Sequence, residues 1–384
     1  MRPYEKTHPW LTFNLDLRKV NYTTWLLLGE AQSKCEHIAG VPLRPSVAKQ
    51  LHAIYLAKGA LATTAIEGNT LSEDEVRNRI EGKLQLPPSK EYLGQEIDNI
   101  VEACNSVAAN LFKSGPISLC VEEIKEFNAL VLRKLPLEEG VRPGEIRKQM
   151  VGVGRYRAVE SADCEFLLEK LCSWLNDGFD TKEEFKITFG ILKSIIAHLY
   201  LAWIHPFDDG NGRTARLIEF QVLISCGVPS AAAHLLSNHY NQTRKEYYRQ
   251  LDYTSQSCGD IFPFIEYALR GFVDGLKEQV DVIRDQQWDV TWRNYVHEKF
   301  KDKIGEAYVR RRHLALDLSF SQDPVPLSKL KELSPRIAEA YARKTHKTLV
   351  RDVNFLKSME LIEVSTEGIR AKRELILAFL PGRL

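Results

Sequence analysis

Residues 181–204 read as one strong, largely buried helix, and Pro206 ends it because the residue before a proline resists the α conformation. A second helix is expected after Gly212 and continues to about Cys226, so the segment between them bridges two rigid elements. Helical periodicity dominates the rest of the chain, and convincing period-2 alternation is scarce. The fold class this implies is mainly α.

Residues 48–66 place apolar side chains at three- and four-residue intervals, and Glu67, Gly68 and Asn69 follow as a helix end. Ser72 with Glu75 reads as a capping box for the next helix. After a break at Ser114-Gly115-Pro116, a helix around 121–134 leads into a loop at 138–144. Val151 and Val153 then alternate with Gly152 and Gly154, which favours a small hairpin continuing into Arg155. Further helices are expected over 240–252, carrying Tyr247 and Tyr248, and over 261–281.

The last hundred residues change character. A helix near 305–317 is followed by VPLSKLKEL, then by HKTLVRDVNFLKSMELIEV, a turn at 365–368 and a short returning strand. Three helices closing with a hairpin outline a winged helix-turn-helix. Arg343, Lys344, Lys347 and Arg351 lie at the start of its third helix or just before it, where a recognition helix would meet DNA phosphates. A solvated basic face that contacts protein fits them equally.

A chain of 384 residues suggests two or three modules. The expected division is an N-terminal helical region over 1–115, a core over 116–281 and the C-terminal domain over 282–384. Hydrophobic residues at 44% and charged residues at 27% exclude a disordered or fibrous chain. A net charge of +1 supplies no overall field toward nucleic acid or an anionic membrane. The seven cysteines are odd in number, widely spaced and never form a CxxC pair, which points to reduced thiols rather than a zinc site. With no basic-then-apolar leader and no stretch approaching eighteen consecutive apolar residues, a cytoplasmic protein with no membrane partner is expected.

The bridge itself, HPFDDGNGRTAR from His205 to Arg216, concentrates the chemistry. Gly210 and Gly212 lack β-carbons, so the backbone can turn tightly and approach a ligand closely. The bridge feeds a helix N-terminus, where free N–H groups and the positive dipole end attract anions. Arg213 and Arg216 sit on neighbouring faces of one turn and can offer planar forks of donors to a polyphosphate. Such an anion usually brings Mg²⁺, for which Asp209 is the placed carboxylate and Asp208 the weaker candidate. His205 is the obvious base in the segment. A calcium EF-hand starting at Asp208 fails because Gly210 and Gly212 fall where oxygen ligands are required, and neither a Walker A loop nor a dinucleotide fingerprint occurs. A plain loop between helices, preceded by a buried histidine, remains the alternative.

HPFDDGNGRTAR resembles the Fic-family signature HPFx[D/E]GNGRxxR at every specified position. The likeness extends over about residues 20–280, through AHLYLAWI before the loop, RPGEIR before the hairpin, and the tyrosine pair. It implies a Fic-type helical core with a hairpin flap, acting as a protein adenylyltransferase on ATP. By that likeness His205 deprotonates a target Tyr, Thr or Ser hydroxyl, Asp209 holds Mg²⁺, and Gly210, Asn211 and Gly212, with Thr214 and Ala215 beside them, cradle the phosphates. Arg213 would bind the phosphate chain, Arg216 the γ-phosphate, and Tyr247 and Tyr248 the nucleoside. Val151, Gly152, Val153, Gly154 and Arg155 would form the flap that holds a target segment by main-chain pairing.

The family's inhibitory motif [S/T]xxxE[G/N] is matched by Thr63 to Gly68, placed as in its class II, so Glu67 would pair with Arg216 and displace the γ-phosphate. A C-terminal winged helix is a known companion of that class. The family's prolines after the flap are missing, and Thr243 stands where an asparagine is common. The partners implied are a target protein, which can be this chain itself, and a second copy in a homodimer, with DNA or protein at the winged helix. Two other functions stay open: an enzyme that also removes AMP, with Glu67 orienting water, and a DNA-binding regulator that senses ATP.

Overall fold

The computed structural model describes residues 2–115, 118–179, 182–321 and 323–376. The chain divides into two compact units between Val280 and Asp281. The expected break at Pro116 and helix start at Thr181 lie outside the described residues.

The first unit contains α1 (Tyr4–Thr7), α2 (Tyr22–Gly40), α3 (Pro45–Ala65), α4 (Glu73–Ile80), α5 (Glu91–Ser114) and α6 (Val121–Val131). A two-stranded hairpin follows, β1 (Gly152–Val153) and β2 (Tyr156–Arg157), and then α7 (Ser161–Asp177), α8 (Lys186–Ile204) and α9 (Asn211–Ser225). Next come α10 (Leu235–Gln242), α11 (Arg244–Gln256) and α12 (Phe262–Lys299), which runs on past the unit boundary. The fold is mainly α. Helix α8 is its axis: Ile191, Leu192, Ile195, Ile196, Leu199 and Leu201 are fully buried, each burial being worth about 1.5–3 kcal/mol. Its apolar faces are covered by α9, α7 and α2, while α5 and α6 cover α9. By length and composition residues Glu183–Ile204 could cross a membrane, but most of this stretch is buried inside the unit.

Several boundaries differ from the sequence expectations. Glu183–Phe185 is a 3-10 turn, so α8 starts only at Lys186. Helix α6 stops at Val131, and Lys134 turns into the left-handed region at φ 59°. The single helix expected over 240–252 is two, broken at Thr243, whose hydroxyl donates to the His239 carbonyl (2.7 Å) and meets the Tyr267 hydroxyl (2.5 Å). Helix α12 runs to Lys299 because no glycine or proline lies between 281 and 299 to stop it. Ser72 and Glu75 form both bonds of the capping box at α4. The hairpin pairs Gly152 with Arg157 and Val153 with Tyr156, and turns at Gly154, φ 58°.

The second unit builds its own core from Trp292, Val296 and Phe300 packed with Leu314, Leu349, Val353 and Leu356. It contains α13 (Glu306–Leu318), α14 (Pro335–Tyr341), α15 (His346–Ser358) and the hairpin β3 (Ile362–Val364) with β4 (Ile369–Ala371), to which Val325 adds a bridge at Ile369. VPLSKLKEL is not its second helix: Leu327–Glu332 is 3-10, and the α-helix starts at Pro335 after the Ser334 N-cap. Asp352, fully buried, accepts from Arg310, Arg311 and Tyr341 and ties α13, α14 and α15 together.

Candidate active site

Helix α8 ends at His205 in the left-handed conformation, φ 48°, with its N–H on the Leu201 carbonyl (2.8 Å). Four carbonyls around this end converge on one buried guanidinium. Arg147 donates to His205 O (2.7 Å), Gln149 O (2.6 Å), Val159 O and Ile204 O, so it welds the end of α8 to both ends of the flap. Asn211 then staples the loop, its amide spanning both the N–H (3.0 Å) and the carbonyl (2.8 Å) of Phe207. Asn128 on α6 holds the far side through the Asp209 carbonyl (2.9 Å) and Gly144 N–H (2.9 Å). Gly210, at φ 77°, supplies the left-handed turn that leads into α9.

Helix α9 starts at Asn211, so Asn211 and Gly212 belong to its first turn. Gly212 has an ordinary helical backbone. Its missing side chain matters because a β-carbon there would strike the Glu67 carboxylate. Thr214 departs from the phosphate-cradle expectation: its N–H and its hydroxyl both go to Gly210 O (2.9 and 2.8 Å), leaving neither for a ligand.

Both arginines are buried and held by acids from other elements. Arg216, 1% exposed, ion-pairs with Glu67 just past the end of α3 and donates to the Thr63 carbonyl (2.9 Å). Arg213 reaches Glu96 on α5 (3.0 Å) and Asp209 (3.2 Å), and Glu96 also accepts from Asn69 (2.8 Å). Among the described residues Arg216 Nε and Nη1 and Arg213 Nε are buried without any partner. Unused guanidinium donors in a dry site are an anion-binding feature. Gly68, φ 109°, makes the turn that presents Glu67.

Beside this cluster lies a cavity of about 510 Å³. Of the residues singled out from the sequence, Glu67, Val153, Gly154, Arg155, His205, Asn211, Gly212, Ala215, Tyr247 and Tyr248 line it. Thr63, Gly68, Val151, Gly152, Asp209, Gly210, Arg213, Thr214 and Arg216 stand outside its lining. The flap arches to α11 through the Arg155–Asp252 ion pair (3.1 Å). Tyr248 donates to the Ile66 carbonyl (3.3 Å), next to Glu67.

Burial, assisted by the Arg147 charge, pushes the His205 imidazole down to about 4 against the opposing pull of the Ala202 carbonyl, Glu67 and Asp209. It is therefore neutral at pH 7. Burial works against ionisation of Glu67, but Arg216 outweighs it, with Arg213 and Arg244 adding, and the carboxyl titrates below its usual range. Burial raises Glu96, against Asn69 and Arg213.

The Fic/DOC family model matches residues 118–223, which include every one of these loop residues from His205 to Arg216. Residues 118–223 form a Fic/DOC domain. Protein adenylyltransferase fic-1 of Caenorhabditis elegans is 31% identical over 54% of this chain and 38% of its own length. Protein adenylyltransferase Fic of Nematostella vectensis is 32% identical over 54% and 45%. The chain thus spans less than half the length of these curated relatives. Among solved structures, a Fic family protein from Desulfovibrio desulfuricans G20 superposes with TM-score 0.57 at 21% identity, covering 90% of this chain and 92% of that one. C. elegans Fic-1 (residues 134–508) gives TM-score 0.55 at 23% identity over 68% and 73%. At these identities the structures establish a shared fold.

Within the Fic/DOC domain, Asn128 and Arg147 were not singled out from the sequence, nor was Glu96, which lies before it. Arg147 closes RPGEIR, where it is one of three charged residues beside Arg142 and Glu145, so nothing in its neighbours marks it as the buried one. Glu96 and Asn128 lie on helices whose polar positions look alike in one sequence.

Proposed function

We propose that this chain transfers AMP from ATP to a Tyr, Thr or Ser hydroxyl of a protein, and that Glu67 restrains the transfer by occupying Arg216. The hydroxyl gives its proton to His205, and its oxygen attacks the α-phosphorus. The bond from that phosphorus to the bridging oxygen breaks, and pyrophosphate leaves. A histidine depressed to about 4 keeps its lone pair free at pH 7, as a general base requires. The carrying observation is that buried Arg216 has two unused donors and one contact to a removable carboxylate, beside a cavity containing that histidine. A γ-phosphate suits those donors.

Asp209, half-exposed at the turn, is the residue that would hold Mg²⁺. Among the described residues no three His, Cys, Asp or Glu side chains gather as a metal site, so most ligands there would be phosphate oxygens and water. When bound, Mg²⁺ would neutralise charge developing on the phosphates. Strand β1 pairs only with β2 among the described residues, which leaves its outer edge free for a target segment. The decisive experiment offers ATP labelled at the α- or the γ-phosphorus to the Glu67→Gly protein. Protein-bound label from the α-position alone supports AMP transfer; label from the γ-position would mean phosphorylation and refute it.

Removal of AMP is a second reading. It is favoured by an ionised Glu67 bordering the same cavity, where it can orient water. Release of AMP from a modified protein by wild type but not Glu67→Gly would support it. The second unit is read as a winged helix binding duplex DNA through Arg343, Lys344, Lys347 and Arg351, all exposed.

A further inference from the structure

Four buried polar side chains run in file behind the cavity. The Tyr240 hydroxyl donates to Glu219 Oε1 (2.9 Å), Glu219 Oε2 faces His198 Nδ1 (3.1 Å), and His198 Nε2 meets the Tyr247 hydroxyl (2.8 Å). Glu219 and His198 are each about 1% exposed, and among the described residues Nδ1 and Oε2 have no hydrogen-bond partner other than this mutual approach. Tyr240 stacks on Tyr247 at 4.8 Å between centroids, and Phe264 stacks on His198, so neither ring is free to swing away. Only the Tyr247 end reaches the cavity wall together with the His198 edge.

We infer that Glu219 is a positioning residue that fixes the tautomer of His198 and, through it, makes the Tyr247 hydroxyl oxygen a hydrogen-bond acceptor toward the cavity. The relay has His198 neutral and Glu219 ionised: a neutral imidazole carries one N–H, and a carboxylate can only accept. The proton therefore sits on Nδ1, facing Glu219. Nε2 is then an acceptor, so the Tyr247 O–H must point back into the protein. What remains for a ligand is the oxygen's lone pair, which selects a group that donates: a nucleoside amino or hydroxyl group. Tyr240 secures the other end, because its hydroxyl has no alternative acceptor among the described residues and keeps Glu219 Oε1 engaged.

The nucleoside half of this inference rests on the ATP reading above; the tautomer half does not. Glu219→Gln keeps the volume and reverses the polarity. Tyr240 holds the amide oxygen, the amide NH₂ faces Nδ1, the imidazole proton moves to Nε2, and the Tyr247 O–H turns outward as a donor. A long-range ¹H–¹⁵N spectrum of the full chain, with the His198 signal assigned by its loss in His198→Gln, should show Nδ1–H in wild type and Nε2–H in Glu219→Gln. ATP binding to the Glu67→Gly protein should weaken about tenfold on adding Glu219→Gln, as for one lost hydrogen bond. Tyr247→Phe should weaken it similarly alone and no further in the Glu219→Gln background. An unchanged tautomer overturns the relay whatever ATP does, as does a switched tautomer with unchanged ATP affinity. A switched tautomer in a protein that binds no ATP at all leaves the relay standing and refutes the nucleotide reading.

Discussion

Replacing Glu67 with glycine should make the apo protein less stable and the nucleotide-bound protein more so. Arg216 is 1% exposed, and among the described residues Glu67 supplies its one ion-pair contact. Breaking a buried pair from one side costs about 3–5 kcal/mol, but the Glu67 carboxylate is 32% exposed, so solvent screens part of that and about 1–3 kcal/mol is the fair expectation. For a unit of this size that is a fall in Tm of roughly 3–8 °C. The sign then reverses with ligand. In wild type the γ-phosphate competes with Glu67; in the variant it meets an unpaired guanidinium and supplies the missing counter-charge. At ATP about a hundredfold above Kd the stabilisation approaches ~2.7 kcal/mol, which exceeds the loss over most of its about 1–3 kcal/mol range. Thermal unfolding of both proteins, with and without ATP and Mg²⁺, checks it. An apo Tm equal to wild type, or ATP raising wild type and variant by the same amount, would refute the view that Glu67 and a phosphate share Arg216.

Three other consequences can be measured. Because His205 is lowered to about 4, below its ordinary 6.5, it stays unprotonated as pH falls. The acidic limb of kcat/KM in Glu67→Gly should therefore lie well below pH 6.5, and a limb at 6.5 or above would exclude it as the unprotonated base. The same shift means the fold loses stability as pH drops below the unfolded value of about 6.5. Arg147→Met should release the flap and the end of α8 together, seen as faster hydrogen exchange at Ala158, whose N–H bonds Val151 O, and at His205; unchanged exchange would show that the four carbonyls do not depend on it. Binding of the full chain to duplex DNA should fall with salt and weaken further in Lys347→Glu/Arg351→Glu, and no binding at low salt would reject DNA as the partner.

The fold was legible where sequence carried a physical stop. Pro206, the Ser72–Glu75 box and the Val151–Gly154 alternation each mark a boundary by local chemistry, and the chain obeys them. Boundaries set by tertiary contacts were not legible: Thr243 breaks a helix because its hydroxyl finds Tyr267 from α12. The loop from His205 to Arg216 announced itself through its spacing, whereas Glu96 enters the site from another helix with nothing in its neighbours to mark it. Gly212 was read as room for a ligand, yet in the apo fold that room holds Glu67.

The central claim is tested most directly by the intact mass of the Glu67→Gly protein after incubation with ATP and Mg²⁺, beside Glu67→Gly/His205→Ala. Losing a general base should slow transfer by about 10²–10⁴-fold. The account predicts a gain of whole adenylyl groups in the single variant and none on the same timescale in the double. A gain in both, or a gain matching phosphate instead of AMP, would contradict it.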